Sequence, residues 1–200
     1  MMDVHQSENA VPEPDTRERL VRAAVEVFAE KGYGGTRVQD IARRAGFTAG
    51  ALYVHFPRRT ALLGEAIAME GGRILSEIVV RLSSLELGNG AAARVLAEQT
   101  VAPASDIDRL LLDALALAAR DADARVMLDS TLRGLQDTIL MLVRQGQSVG
   151  LIDPTLDADA VRSVFLAWVL GLVVLRAGGL NDIDLPPVLS VCNAIAMGLR

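Results

Sequence analysis

The sequence predicts an all-α protein of about nine helices, and three observations carry that reading. Ala, Leu, Val and Arg dominate its 200 residues, a composition that favours helix. Apolar residues recur at three- and four-residue spacing through most of the chain. Clusters of Gly, Pro, Asn and Asp cut the chain into pieces of helical length, and no piece reads as a strand. With 51% hydrophobic and 22% charged residues, the chain can bury a sizeable core, which excludes disorder over most of its length.

Residues 1–14 are polar, carry Pro12 and Pro14 and lack the apolar run of a leader, so they are expected to form a disordered arm. A first helix follows. Asp15 and Glu18 have the spacing of a capping box. Leu20, Ala24, Val27 and Phe28 share one face, and Gly32 supplies the stop. Thr36 opens a short second helix, with Thr36 and Gln39 spaced as a capping box and Ile41, Ala42 and Ala45 inward. Gly46 breaks it. Thr48 caps a third helix anchored by Leu52 and Phe56 and ended by Pro57. A long amphipathic helix over 59–87 follows, with Leu62, Leu63, Ile67, Ile74, Ile78 and Leu82 apolar; Gly71 and Gly72 are expected to kink or weaken it. After a loop at 88–90 come helices over 91–101, from a cap at Ser105 or Asp106 to about 120, and from the 121–123 turn to about 149. Asp157 caps a helix to 177, and after a loop over 181–187 the last helix carries Val188, Val191, Cys192, Ile195 and Leu199.

Composition excludes several function classes. The single cysteine rules out an intrachain disulfide and a cysteine-based zinc site, and His5 and His55 lie too far apart in sequence to form a cluster. No metal and no cofactor are expected. No Ser-His-Asp motif, phosphate-binding glycine loop or apolar carboxylate pair is present, so the chain does not read as an enzyme. The most apolar run, 164–175, is too short to span a bilayer and reads as a buried core helix. A cytoplasmic protein without a membrane partner is expected.

The net charge of -5 hides a split. Residues 15–60 hold nine Lys or Arg against five Asp or Glu, whereas residues 61–200 hold eleven against seventeen. A basic amino-terminal module on an acidic body implies two tasks in one chain. The stretch TRVQDIARRAGFTAGALYVHFPRR over 36–59 places two short helices around a tight turn at Gly46, with the small Ala42 four residues earlier allowing a close crossing. That is helix-turn-helix geometry, whose second helix enters the major groove of DNA.

On these residues the sequence resembles the TetR family of transcriptional regulators. The resemblance is carried by Phe28, Gly32, Gly35-Thr36, Ile41-Ala42, Ala45-Gly46, the run from Thr48 to Phe56, and Leu62-Leu63, covering about residues 15–65. It implies three segments: the arm at 1–14, a DNA-binding domain at 15–60, and a helical ligand-binding and dimerisation domain at 61–200. It also implies DNA contacts. Tyr53 matches a tyrosine on a phosphate, though a packed core tyrosine is the other reading. His55 lies near the backbone or packs under the helix. Thr48 caps the recognition helix and can meet a phosphate. Ala49, Gly50 and Ala51 face base edges, and Arg59 stands for a lysine that meets a phosphate. Thr36, Arg37 and Gln39 lie at the start of the second helix, where the dipole also favours phosphate.

The sequence departs from the family pattern in places. Ala49 replaces a polar residue, Val54 a common aromatic, and Arg58 the usual cap. Readout is then expected from thymine methyls, with Gln39 or Arg37 adding hydrogen bonds.

For the larger module the resemblance implies a homodimer through the last two long helices and a small-molecule effector. Ala167 and Gly171 give a small-xxx-small spacing, and Val164, Leu175, Val191 and Ile195 complete an apolar interface, or else belong to the chain's own core. Candidate effector contacts are Arg73, Met127, Thr131, Gln136, Phe165 and Trp168, each of which can equally be core or surface. The expected function is a ligand-responsive, homodimeric repressor released from a palindromic double-stranded DNA operator by a small apolar or amphipathic molecule. The alternative is a helical interaction or ligand-binding protein that has lost specific DNA binding.

Overall fold

The computed structural model describes residues 15–84, 91–180, 182 and 184–198. Among them are nine α-helices and no strand: α1 Thr16–Gly35, α2 Val38–Ala45, α3 Ala49–His55, α4 Arg59–Ser84, α5 Ala91–Val101, α6 Asp106–Ala118, α7 Ala122–Ser148, α8 Ala158–Ala177 and α9 Leu185–Gly198. The expected arm at 1–14, the loop at 88–90, the end of the fourth helix beyond Ser84, and Leu199 lie outside the described residues.

Helix α1 buries Leu20, Val21, Ala23, Ala24, Val27 and Phe28, one continuous face. It breaks at Gly32, whose φ of 67° lies in the region that favours glycine. The expected capping box is not formed: Asp15 makes no side-chain cap bond, and Glu18 instead holds Arg22 at 2.6 Å. Three later caps form as the sequence indicates, with Thr48, Asp121 and Asp157 accepting from the amides of Ala51, Ala124 and Ala160. At α6 the Asp108 carboxylate accepts from the Ser105 amide at 2.8 Å.

The main buried cluster runs from Leu20 of α1 through Ile41, Leu52, Phe56, Leu62 and Leu63 to Leu110, Leu128 and Val173 of the body. A second, smaller cluster of Ala93, Ala97, Val188 and Cys192 joins α5 to α9. Helix α4 is continuous through Gly71 and Gly72, where an added Cβ would meet nothing within 4 Å. Its close approach is elsewhere: a Cβ on Gly64 would lie 2.8 Å from the Met127 sulfur and 3.0 Å from the Thr131 hydroxyl of α7.

Helix α8 corrects one expectation. It is not a buried core helix, since only Leu172 and Val173 of its twenty residues are buried in the single chain. By length and composition alone it would cross a membrane, a test that core helices of other proteins also pass. Its outer face has no partner among the described residues. In α9, Pro186 and Pro187 lie inside the first helical turn rather than in the preceding loop. Amides there have no intrahelical acceptor to lose.

Candidate nucleic-acid interface

The turn between α2 and α3 is set by Gly46, at φ 78° and ψ 26°. Its amide bonds to the Arg43 carbonyl at 3.2 Å and the Phe47 amide to the Ala42 carbonyl at 2.8 Å, closing α2. Thr48 then starts α3. Leu52 and Phe56 are 0% and 2% exposed and belong to the same buried cluster as residues of α1, α2 and α4. With those two inward, the opposite side of α3 presents Gly50, Tyr53 and Val54; Tyr53 is 49% and Val54 81% exposed.

Polar ties hold the α1–α3 unit to the body. The Asp113 carboxylate of α6 accepts from the Tyr33 backbone amide at 2.8 Å. Arg58 pairs with Asp123 at the start of α7. Arg17 makes a two-pronged contact to Glu65 of α4 at 2.7 and 2.9 Å. Arg58, read from sequence as a weak cap, is therefore a tie across 65 residues of chain.

Six of the nine cations between residues 15 and 60 meet a carboxylate: Arg17, Arg22, Lys31, Arg43, Arg44 and Arg58. Among the described residues, Arg19, Arg37 and Arg59 meet no carboxylate. Arg19 lies over the Phe47 ring and donates to the Ala45 carbonyl. Arg59 lies 4.0 Å over the Tyr33 ring and donates to the Thr36 carbonyl, so its guanidinium is turned partly onto the protein. Arg37 is exposed at the N-cap of α2, and among the described residues its side chain has no ion-pair partner. A polar cleft lined by Val27, Lys31, Asp40, Arg43 and Arg44 offers no unmatched charge, because each of its cations already meets a carboxylate. Lys31 and Arg43 both hold Asp40 at 2.8 Å; the Lys31 hydrogen bond, above all, keeps that carboxyl below its ordinary range.

Of the residues expected on DNA, Gln39, Thr48, Gly50, Tyr53 and Arg37 are exposed, and Ala49, Ala51, His55 and Arg59 are half-buried. Thr36 is different. It is 1% exposed, and its hydroxyl donates to the Gly32 carbonyl at 2.8 Å, within reach of Val27 as well. It fastens the end of α1 rather than offering a group to phosphate, and α2 is capped one residue later than expected. Val54 is exposed as well, a position outside the expected contacts; its place four residues after Gly50 puts it on the same helix face.

The candidate effector residues do not gather around one centre. Arg73 is exposed between Glu70 and Glu77, at 3.0 and 2.5 Å, so it faces solvent and not a pocket. Met127 and Thr131 pack on Gly64. Gln136 of α7 accepts from Arg162 of α8 at 2.8 Å, and Phe165 and Trp168 are half-buried on α8. Val164, Ala167, Gly171, Leu175, Val191 and Ile195 are all exposed in the single chain.

A glycine-turned helix pair carrying an outward reading helix on an all-helical body defines a helix-turn-helix DNA-binding regulator. Residues 20–66 match the model of the bacterial regulatory proteins of the tetR family. Over that segment the chain carries a DNA-binding domain of the TetR family of transcriptional regulators. It is 39% identical to the YerO regulator of Bacillus subtilis over 49 residues, 24% of this chain and 17% of that protein. The fold is that of GusR from Salmonella enterica, with a TM-score of 0.67 at 24% identity over 96% of this chain and 98% of that one. FadR from Bacillus subtilis, solved in complex with stearoyl-CoA, matches with a TM-score of 0.59 at 20% identity over 91% and 98%.

Proposed function

We propose that the protein is a cytoplasmic homodimeric repressor that holds a palindromic operator and releases it when a small apolar or amphipathic molecule binds. Residues 15–60 read DNA; residues 61–200 pair the subunits and take the effector. The observation that carries this reading is the unpartnered apolar face of α8 and α9. Val164, Leu175, Val191 and Ile195 are 70%, 40%, 59% and 54% exposed, beside the small residues Ala167 and Gly171. Pairing two copies through that face buries it in a four-helix interface. A two-fold dimer carries its reading helices about 34–36 Å apart, one turn of DNA.

The effector is supported by the stearoyl-CoA held in the Bacillus subtilis relative. On this chain, Gln136, Arg162, Phe165 and Trp168 along α7 and α8 are the residues suited to an amphipathic guest, with one cation and two aromatics. Binding there acts on the head through the ties from α6 and α7 to Tyr33 and Arg58. It shifts the operator-bound state only by its different affinity for the two arrangements.

The test combines sedimentation equilibrium with fluorescence anisotropy on DNA found by random-sequence selection. The expected result is a dimer that Val164→Asp dissociates, bound to a palindrome with an affinity falling by about 0.9 log units per phosphate contact for each log unit of salt. Arg37→Ala lowers that slope by about one per half-site, and stearoyl-CoA is the first effector probe. A monomer with no preferred sequence overturns the reading and leaves the alternative, a helical ligand-binding protein without specific DNA binding.

A further inference from the structure

Two features of α3 have no explanation inside the protein. The first is Val54. At 81% it is the most exposed large apolar side chain among the described residues, and it stands on the side of α3 opposite Leu52 and Phe56. The second is Gly50, one helical turn earlier. Its φ is not in the region reserved for glycine, and an added Cβ would meet only the Thr48 hydroxyl, at 3.8 Å. Nothing in the fold requires a glycine there, although glycine is among the weakest helix formers. The two form one stripe, a bare patch of backbone followed by a projecting isopropyl group.

The chemistry of the major groove supplies a match for that stripe. Base edges there present hydrogen-bond donors, acceptors and one apolar group, the thymine C5 methyl. Ala49, Gly50, Ala51 and Val54 offer no side-chain hydrogen bond, so a thymine methyl is the one feature they can recognise by contact. The missing side chain at Gly50 lets the helix backbone come close, which brings Val54 within van der Waals range of the base edge.

We propose that Val54 is a specificity-determining residue that reads a thymine C5 methyl, with Gly50 as the clearance that admits it. The proposal rests on the DNA-reading function given above. It makes specificity at this position depend on a methyl group, with Tyr53 and Arg37 left to fix the helix on the backbone.

The experiment uses the full chain and a duplex obtained by random-sequence selection. Each thymine is replaced in turn, symmetrically in both half-sites, by deoxyuridine, which lacks only the methyl. Anisotropy is measured with the wild-type protein and with Val54→Ala, whose helicity and melting temperature are checked against wild type. At one thymine position the deoxyuridine duplex binds the wild type about three- to fivefold more weakly per half-site, the value of one buried methyl. Val54→Ala weakens binding to the thymine duplex and removes most of that discrimination. Discrimination that survives in Val54→Ala, or deoxyuridine tolerated at every position by the wild type, overturns this proposal alone. A protein that selects no sequence overturns the repressor reading and this proposal together.

Discussion

Asp108 of α6 and Arg176 of α8 form an ion pair at 2.7 Å, with the carboxylate side chain 1% and the guanidinium side chain 11% exposed. The same carboxylate holds the Ser105 amide and hydroxyl, and the same guanidinium reaches the Gln99 carbonyl, so one pair joins α8, the start of α6 and the end of α5. Removing one partner leaves a buried charge uncompensated. Arg176→Met is expected to cost about 3–5 kcal/mol in urea unfolding. Adding Asp108→Asn, which keeps an acceptor for Ser105 but removes the charge, recovers most of that loss. Equal destabilisation in the single and double variants would show that the charge is not the cause.

Gly46 and Gly50 sit four residues apart and predict opposite outcomes. Gly46→Ala forces a Cβ into a left-handed position and is expected to cost about 1–2 kcal/mol of stability. Gly50→Ala removes a weak helix former at an open site and is expected to add about 0.5–1 kcal/mol. Thermal melts of the two variants separate the glycine that the turn requires from the one that it does not. Gly50→Ala is also expected to weaken operator binding while raising the melting temperature, a combination that packing inside the protein cannot produce.

Asp40 gives the head a sensitivity to acid. Its folded carboxyl titrates below the ordinary value, chiefly through the hydrogen bond from Lys31. The stability this provides is fully present above the unfolded value, about pH 4, and is lost as pH falls through the folded one. Asp40→Asn is therefore less stable than wild type at neutral pH, with a difference that shrinks below about pH 4. Urea titrations at pH 7 and pH 3 measure it. A difference independent of pH would assign the loss to the amide substitution itself.

Cys192 lies buried between α5 and α9, and desolvation pushes its thiol above the ordinary range. The thiolate is the reactive form, so the folded protein is expected to react with a disulfide reagent far more slowly than the urea-unfolded chain. Equal rates would place the thiol at the surface.

Short-range chemistry was readable from the sequence, and long-range partnership was not. The α2-turn-α3 unit could be placed because Gly46, Thr48, Leu52 and Pro57 act within a few residues of themselves. The cap of α2 falls one residue later than the spacing predicts because the Thr36 hydroxyl is taken by the Gly32 and Val27 carbonyls, an arrangement that exists only once α1 has ended. The pairing of Arg73 is legible in the sequence, since Glu70 and Glu77 stand three and four residues away on the same helix face. No local signal shows that Met127 and Thr131 meet Gly64, or that Arg58 finds Asp123. The apolar run of α8 was visible, but the sequence does not say whether such a face meets the chain's own core or a second chain.

The buried cluster that begins at Leu20 and reaches Val173 has no seam at the junction between reading head and body. Leu52 and Phe56 belong to the same apolar interior as Leu110 and Leu128. Head and main body are then expected to melt in one cooperative transition, which calorimetry checks. The head has no melting point of its own, and a chain cut after α3 would lose the interior that keeps its turn in shape. Whatever loosens α6 or α7 loosens the grip on DNA in the same event.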